Sequence, residues 1–175
     1  MMVGEIRDVE TAEIAIHAAL TGQLVFSTLH TNDAPTALTR LVEMGIEPFL
    51  IASSVLGVLA QRLVRLVCSK CKTSYAPNRT EVKELGLEWK EGLLFYKGKG
   101  CGNCKNTGYR GRIGIFQLMG MAETVREGIL KNTSADQIRK EAQLAGMKTL
   151  RQDGLSKVLE GMTTVEEVLR VTQEV

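Results

Sequence analysis

The sequence predicts an α/β fold with a small tetracysteine insert and helices toward its C-terminus, and three observations carry that prediction. Residues 1–66 alternate apolar runs of strand length with helix-patterned stretches, the order that builds a parallel sheet covered by helices. Residues 67–120 hold all four cysteines among many Gly, Lys and Arg. Beyond residue 120 the pattern is helical. These textures divide the chain into segments 1–66, 67–120 and 121–175.

The elements follow in order. "MMVGEI" suits a strand, and "VETAEIAIHAAL" a helix with Ile14, Ala15, Ala18 and Ala19 on one face. Thr21-Gly22 ends that helix, because Gly just past a helix takes positive φ without strain. "QLVFSTLH" predicts a second buried strand that closes on Ser27, Thr28 and His30. "TNDAP" then opens a helix, with Asn32 or Asp33 as cap and Pro35 in the first turn, which runs to Met44 and stops at Gly45. A third helix is expected from Pro48, carrying "FLIASSVLGVLAQRL". Near the C-terminus "SADQ" (134–137) and "TVEE" (164–167) fit the capping box, and a short amphipathic helix is expected after each.

Composition sets limits on function. Hydrophobic residues make up 44% of the 175 residues, enough for a core, and no stretch approaches the roughly 20 apolar residues of a membrane span. The start carries no basic region followed by an apolar run and a small-residue cleavage site, so the chain is expected in the cytoplasm. Formal net charge is only +2, from 22 Lys and Arg against 20 Asp and Glu. A globally basic nucleic-acid binder is therefore excluded, and any partner bound by charge needs a local patch.

Polar groups collect at the ends of both predicted strands, the carboxyl edge at which parallel α/β sheets bind ligands. Glu5 and His30 stand out there. Either one alone reads as a solvated strand end or a histidine satisfied by backbone. Together, a carboxylate and an imidazole ending two strands of one sheet can aim a base and a polar sensor at one reacting centre.

"MVGEIRDVETAEIAIHAALTG", "LVFSTLHTNDAP", "RLVEMGIEPFLIASSVLGVLAQRLVR" and "CKNTGYRGRIGIF" closely resemble the type II secretion and type IV pilus assembly ATPases, over essentially the whole chain. The resemblance implies a RecA-like (P-loop NTPase) domain working as a homo-hexamer at the cytoplasmic face of the inner membrane, with ATP and Mg²⁺ as cofactors. It makes the stretch ending in Gly4-Glu5 similar to a Walker B motif, so that Glu5 would polarise the attacking water. It makes "STLHTN" similar to the family's histidine box, with His30 reaching the γ-phosphate region, and implies nucleotide contacts for Gly4, Thr28 and Arg62. Arg7 and Asp8 match the family's "IRD" tail, where the motif alone does not separate a catalytic role from an ion pair. Two positions depart from the family pattern: Gln23 in place of the His of "TGH", and Gln117 in place of the Glu of "GIFE". The phosphate loop G-x-x-x-x-G-K-[ST] is missing from these residues, since the one Gly-Lys pair, Gly98-Lys99, is followed by Gly100 and has Leu93 where the first Gly belongs. The chain is therefore expected to be the C-terminal part of a larger ATPase and to be inactive alone.

The cysteines argue independently. Cys68 and Cys71, and again Cys101 and Cys104, form C-x-x-C pairs with 29 residues between them. Four thiolates give the closed tetrahedral set of a structural Zn²⁺ site, and this ranks above disulfides in a cytosolic chain and above an iron–sulfur cluster. The interval exceeds that of a usual zinc ribbon, but loop closure costs grow only with the logarithm of length. Lys97, Lys99, Lys105, Arg110 and Arg112 lie nearby without any Asp or Glu in their stretch. Part of that charge offsets a four-thiolate zinc centre. The rest suits acidic head groups or a membrane-protein loop, and the resemblance favours an inner-membrane platform protein as partner. With Tyr109 as the one nearby stacking ring, nucleic acid is the weaker match. Two functions of different class result: a piece of a motor ATPase that drives pilin or pseudopilin assembly or secretion, and a zinc-stabilised adaptor without catalysis.

Overall fold

The computed structural model describes residues 1–172. Contacts divide the chain into two compact units, each assembled from two stretches of sequence: Met1–Ala60 with Gln117–Lys148, and Gln61–Phe116 with the segment from Thr149 onward.

In the first unit, the opening segment and residues 23–28 run side by side in parallel. Phe26 N donates to Met1 O (3.0 Å), Val3 N to Phe26 O (2.8 Å) and Ile6 N to Thr28 O (2.9 Å), with one parallel bridge, Met2–Phe26. The two strands were expected to be buried. Within the described residues they are not: Met2 is 83% exposed and Phe26 59%, because each presents only its inward side chains, such as Ile6, to the core.

Helix α1 (Val9–Leu20) is capped by Asp8, whose carboxylate accepts from Thr11 N, and ends at Thr21 before Gly22 at φ 91°. Its buried face is Ala12, Ala15 and Ile16, which corrects the expected face, since Ile14 is exposed. Helix α2 (Ala34–Glu43) starts behind Asp33 with Pro35 in its first turn and stops at Met44, followed by Gly45 at φ 100°. Its buried Leu38 and Leu41 pack with Ile16, Ile46 and Ile51. The core is completed by α5 (Glu123–Leu130) and α6 (Ala135–Leu144), through Val125, Ile129, Ile138 and Ala142.

The long third helix is not formed. Helix α3 covers only Pro48–Ser54, and strand β1 takes over at Gly57–Val67. "GVLAQRLVRLV" satisfies a period of two as well as a helical one: Val58, Ala60, Arg62, Val64 and Leu66 are partly or fully buried while Leu59, Gln61, Leu63 and Arg65 are exposed. Pairing with β4 (Tyr109–Gly120) decides between the two periods. An added Cβ at Gly57 would lie 3.0 Å from Met119 O, so the chain passes closely at the point where it leaves the helix.

In the second unit β2 (Lys72–Tyr75) pairs antiparallel with β3 (Phe95–Gly98). Tyr75 meets Phe95 edge-on at 6.0 Å. Phe95 anchors a core with Val82 and Leu85 from α4 (Arg79–Glu84), Leu155 and Val158 from α7 (Leu150–Leu159), and Val165 and Val168 from α8 (Val165–Thr172). Of the two predicted capping boxes each forms only half. Ser134 accepts from Gln137 N, but Gln137 turns to Glu141. Thr164 accepts from Glu167 N, while the Glu167 carboxylate goes to Arg65 and Arg170. A reciprocal box forms instead at Thr149–Gln152.

Candidate catalytic carboxylate and candidate metal centre

Parallel pairing brings the ends of the first two extended segments together. Thr28 Oγ1 donates to Gly4 O at 2.8 Å, which fixes Glu5 beside the segment that carries His30. Glu5 Oε2 lies 2.7 Å from Arg7 Nη2, and Oε1 lies 2.7 Å from His30 Nε2. Oε1 is buried, and its close polar neighbour is that imidazole nitrogen, without the alignment of a full hydrogen bond. A lone pair is thus left over on an otherwise anchored carboxylate. Arg7 holds the Glu5 carboxyl below its usual range, first through its hydrogen bond and then through its charge. The Glu5 side chain is 20% exposed and that of His30 87%. Of the "IRD" residues, Arg7 makes its ion pair with Glu5, whereas Asp8 is the cap of α1. Arg62, expected with this group, lies on β1 in the second unit.

The loop after His30 is tied down by residues far away in sequence. Asp33 caps α2 by accepting from Thr36 N at 3.0 Å, and its other oxygen takes Arg139 Nε and Nη2 at 3.0 and 2.7 Å. Burial raises the Asp33 carboxyl, but the bonds from Thr36 and Arg139 outweigh it and leave the group below its usual range. Gln117, a departure from the expected Glu, is 2% exposed and accepts from Ala34 N at 3.2 Å. It satisfies an N–H at the start of α2 that would otherwise be orphaned.

The four cysteines converge. Their Sγ atoms all lie within 4.8 Å of one another, with Cys68–Cys101 at 3.9 Å and Cys71–Cys104 and Cys101–Cys104 at 3.8 Å. A tetrahedral Zn²⁺ with Zn–S near 2.3 Å requires S–S edges of about 3.8 Å, far from the roughly 2.05 Å of a disulfide, so the thiols fit the ion. Donors surround them. Cys101 N and Gly108 N point at Cys104 Sγ (3.2 and 3.3 Å), and Asn103 Nδ2 points at Cys68 Sγ (3.4 Å). Burial raises the Cys104 thiol, yet the two backbone N–H groups bring it down to about 6. Asn103 chiefly lowers Cys68, and burial pushes Cys71 up to about 12. Cys104 therefore offers a thiolate at neutral pH by itself, whereas Cys71 gives up its proton only in exchange for a cation. Arg110 Nη1 donates to the backbone and side-chain oxygens of Asn103, so one residue of the basic patch is bound up in the knuckle. The knuckles also pass back to back at Gly98 and Gly108, where a Cβ on Gly108 would lie 2.7 Å from Gly98 O.

Residues 1–170 match the family described as Type II/IV secretion system protein. The chain belongs to that family. It is 53% identical over 176 residues to the type IV pilus assembly ATPase PilB of Thermus thermophilus, covering 99% of this chain and 20% of that protein. It is likewise 53% identical over 174 residues to type II secretion system protein E of Pseudomonas aeruginosa, covering 99% of this chain and 34% of the relative. The chain therefore spans between a fifth and about a third of the length of these relatives. Among solved structures it resembles the pilus retraction motor PilT with bound ADP, at a TM-score of 0.66 and 23% identity over 99% of this chain and 39% of that one. It also resembles the Legionella pneumophila ATPase DotB, at a TM-score of 0.63 and 20% identity, over 97% and 37%. These likenesses give the fold, which is α/β of the RecA-like kind, and this chain's four clustered cysteines fit a tetracysteine insert in it. Among the described residues no helix is long and apolar enough to cross a membrane.

Proposed function

We propose that the chain is part of a hexameric motor that hydrolyses ATP to drive pilin or pseudopilin assembly or type II protein secretion. In this reading residues 1–66 belong to the ATPase core, 67–120 form a zinc-binding subdomain and 121–175 a helical one. The observation that carries the proposal is Glu5, a carboxylate anchored through one oxygen by Arg7 with its other, buried oxygen 2.7 Å from His30 Nε2. Bound ATP and Mg²⁺ would supply the phosphoryl group and its charge neutralisation. Glu5, held ionised by Arg7, accepts a hydrogen bond from the attacking water through Oε1 and orients it. A depressed pKa suits that positioning role better than long-term storage of a proton. His30, largely exposed, reaches outward from Glu5 toward the terminal phosphate. Gly4 and Thr28 keep the two segments in register, and Arg62 contacts nucleotide in the assembled motor.

Cys68, Cys71, Cys101 and Cys104 would hold one Zn²⁺, which contributes cross-linking rather than redox chemistry. The subdomain is read as the part that meets an inner-membrane platform protein or an acidic membrane surface, with the motor on the cytoplasmic side. ATP turnover tests the proposal: a longer version of the protein carrying a phosphate loop hydrolyses ATP, and the 175-residue chain does not. Turnover by the short chain above a Glu5→Gln control overturns the assignment.

A further inference from the structure

In the second unit, three guanidinium groups face one hollow. Leu63, Arg65, Arg112 and Arg170 line a space of about 530 Å³. Glu167, only 1% exposed, organises two of them: its Oε1 takes Arg65 Nη2 at 2.7 Å and Arg170 Nε at 3.0 Å, while Oε2 takes Arg65 N at 2.9 Å and Arg170 Nη2 at 3.0 Å. The Arg65 guanidinium also stacks over the Tyr109 ring at 4.1 Å. Arg112 is different. It is exposed, and among the described residues its guanidinium makes no ion pair or hydrogen bond.

Charge is unbalanced here. Three cations face the buried Glu167 carboxylate, and the exposed Glu166 is another acidic group whose charge reaches Arg65, so among the described residues the hollow is net positive by one to two charges. We propose that Arg65, Arg112 and Arg170 form a binding site for a phosphate-type oxyanion. Guanidinium forks match phosphate oxygens two at a time, and forks already immobilised by Glu167 and Tyr109 lose little freedom on binding. Arg112 closes the site by supplying the uncommitted fork. Leu63 provides an apolar wall.

Arg112 is the residue to test, because removing Arg65 or Arg170 would also take a partner from the buried Glu167 carboxylate and so mix a loss of stability with a loss of binding. The probes are inorganic pyrophosphate, titrated calorimetrically into the zinc-loaded chain, and vesicles of phosphatidylcholine with or without phosphatidic acid, followed by flotation. Saturable binding of either probe is expected, and Arg112→Ala should weaken it about ten- to a hundredfold, the worth of one charged hydrogen-bonding group. Arg112→Lys should fall between, keeping the charge and losing the fork. Lys140→Ala, which removes an exposed charge from the first unit, should leave it unchanged. Preference for pyrophosphate marks a soluble ligand, and preference for acidic vesicles marks a lipid head group. Absence of saturable binding by both probes overturns the proposal, and so does binding that Arg112→Ala and Lys140→Ala reduce equally.

Discussion

Replacing Glu167 with Gln should destabilise the protein in a way that depends on pH. The Glu167 carboxyl is buried, which raises its pKa, but bonds from Arg170 and Arg65 more than reverse that and bring it from an ordinary 4.5 down to about 2. That interval corresponds to about 3 kcal/mol, and since both guanidiniums are about half exposed, solvent screening reduces it to about 2 kcal/mol. The folded-state pKa lies below the unfolded one, so this stabilisation is complete above pH 4.5 and is lost as pH falls from there toward 2. Gln keeps the shape and loses the charge, and the half-exposed arginines are not left as buried orphans. Thermal unfolding at pH 7 should therefore fall by roughly 4–8 °C in Glu167→Gln. The gap between the two proteins should narrow between pH 5 and 3, where zinc loss on acidification affects both alike. A gap of constant size across that range would refute the argument, because it would make Glu167 a packing residue rather than an ionic clamp.

Three further outcomes follow from the same geometry. Gly98→Ala would drive a Cβ into Gly108 O and should cost the chain its zinc, read by elemental analysis and thiol titration; a full zinc equivalent in that variant contradicts the close crossing. Asn103→Ala removes the N–H donor to Cys68 Sγ and the acceptor for Arg110, and chelator competition should show zinc held about ten- to a hundredfold more weakly. Gln117→Ala leaves Ala34 N without its buried acceptor and should cost about 1–3 kcal/mol in denaturant unfolding, whereas Gln117→Glu, which keeps an acceptor at a helix N-terminus, should restore most of it.

Local chemistry made part of this molecule legible. Asp33, Pro35 and Gly45 bound α2 by capping and backbone rules that act within a few residues, and the two C-x-x-C pairs stated their own convergence through ligand chemistry. The failures have one physical source. "GVLAQRLVRLV" fits two periods, and only a partner strand about 50 residues later in the chain selects the extended one. Asp33–Arg139 and Arg65–Glu167 join residues more than 100 positions apart, so no window of sequence contains both partners. Glu167 was readable as half of a capping box, and tertiary pairing with Arg65 diverted its carboxylate. Gln117, which stands out in the sequence as a departure from the family pattern, is also a polar residue amid the alternation "IFQLMG", an inward position that requires a partner.

The central claim is that Glu5 orients the attacking water. Nucleotide affinity and steady-state ATP turnover of the longer protein, with and without Glu5→Gln, test it most directly. Gln keeps one carbonyl oxygen but loses the negative charge, so ATP binding should persist while turnover falls by about two to four orders of magnitude. An unchanged kcat would contradict the account and leave Glu5 as the end of a strand.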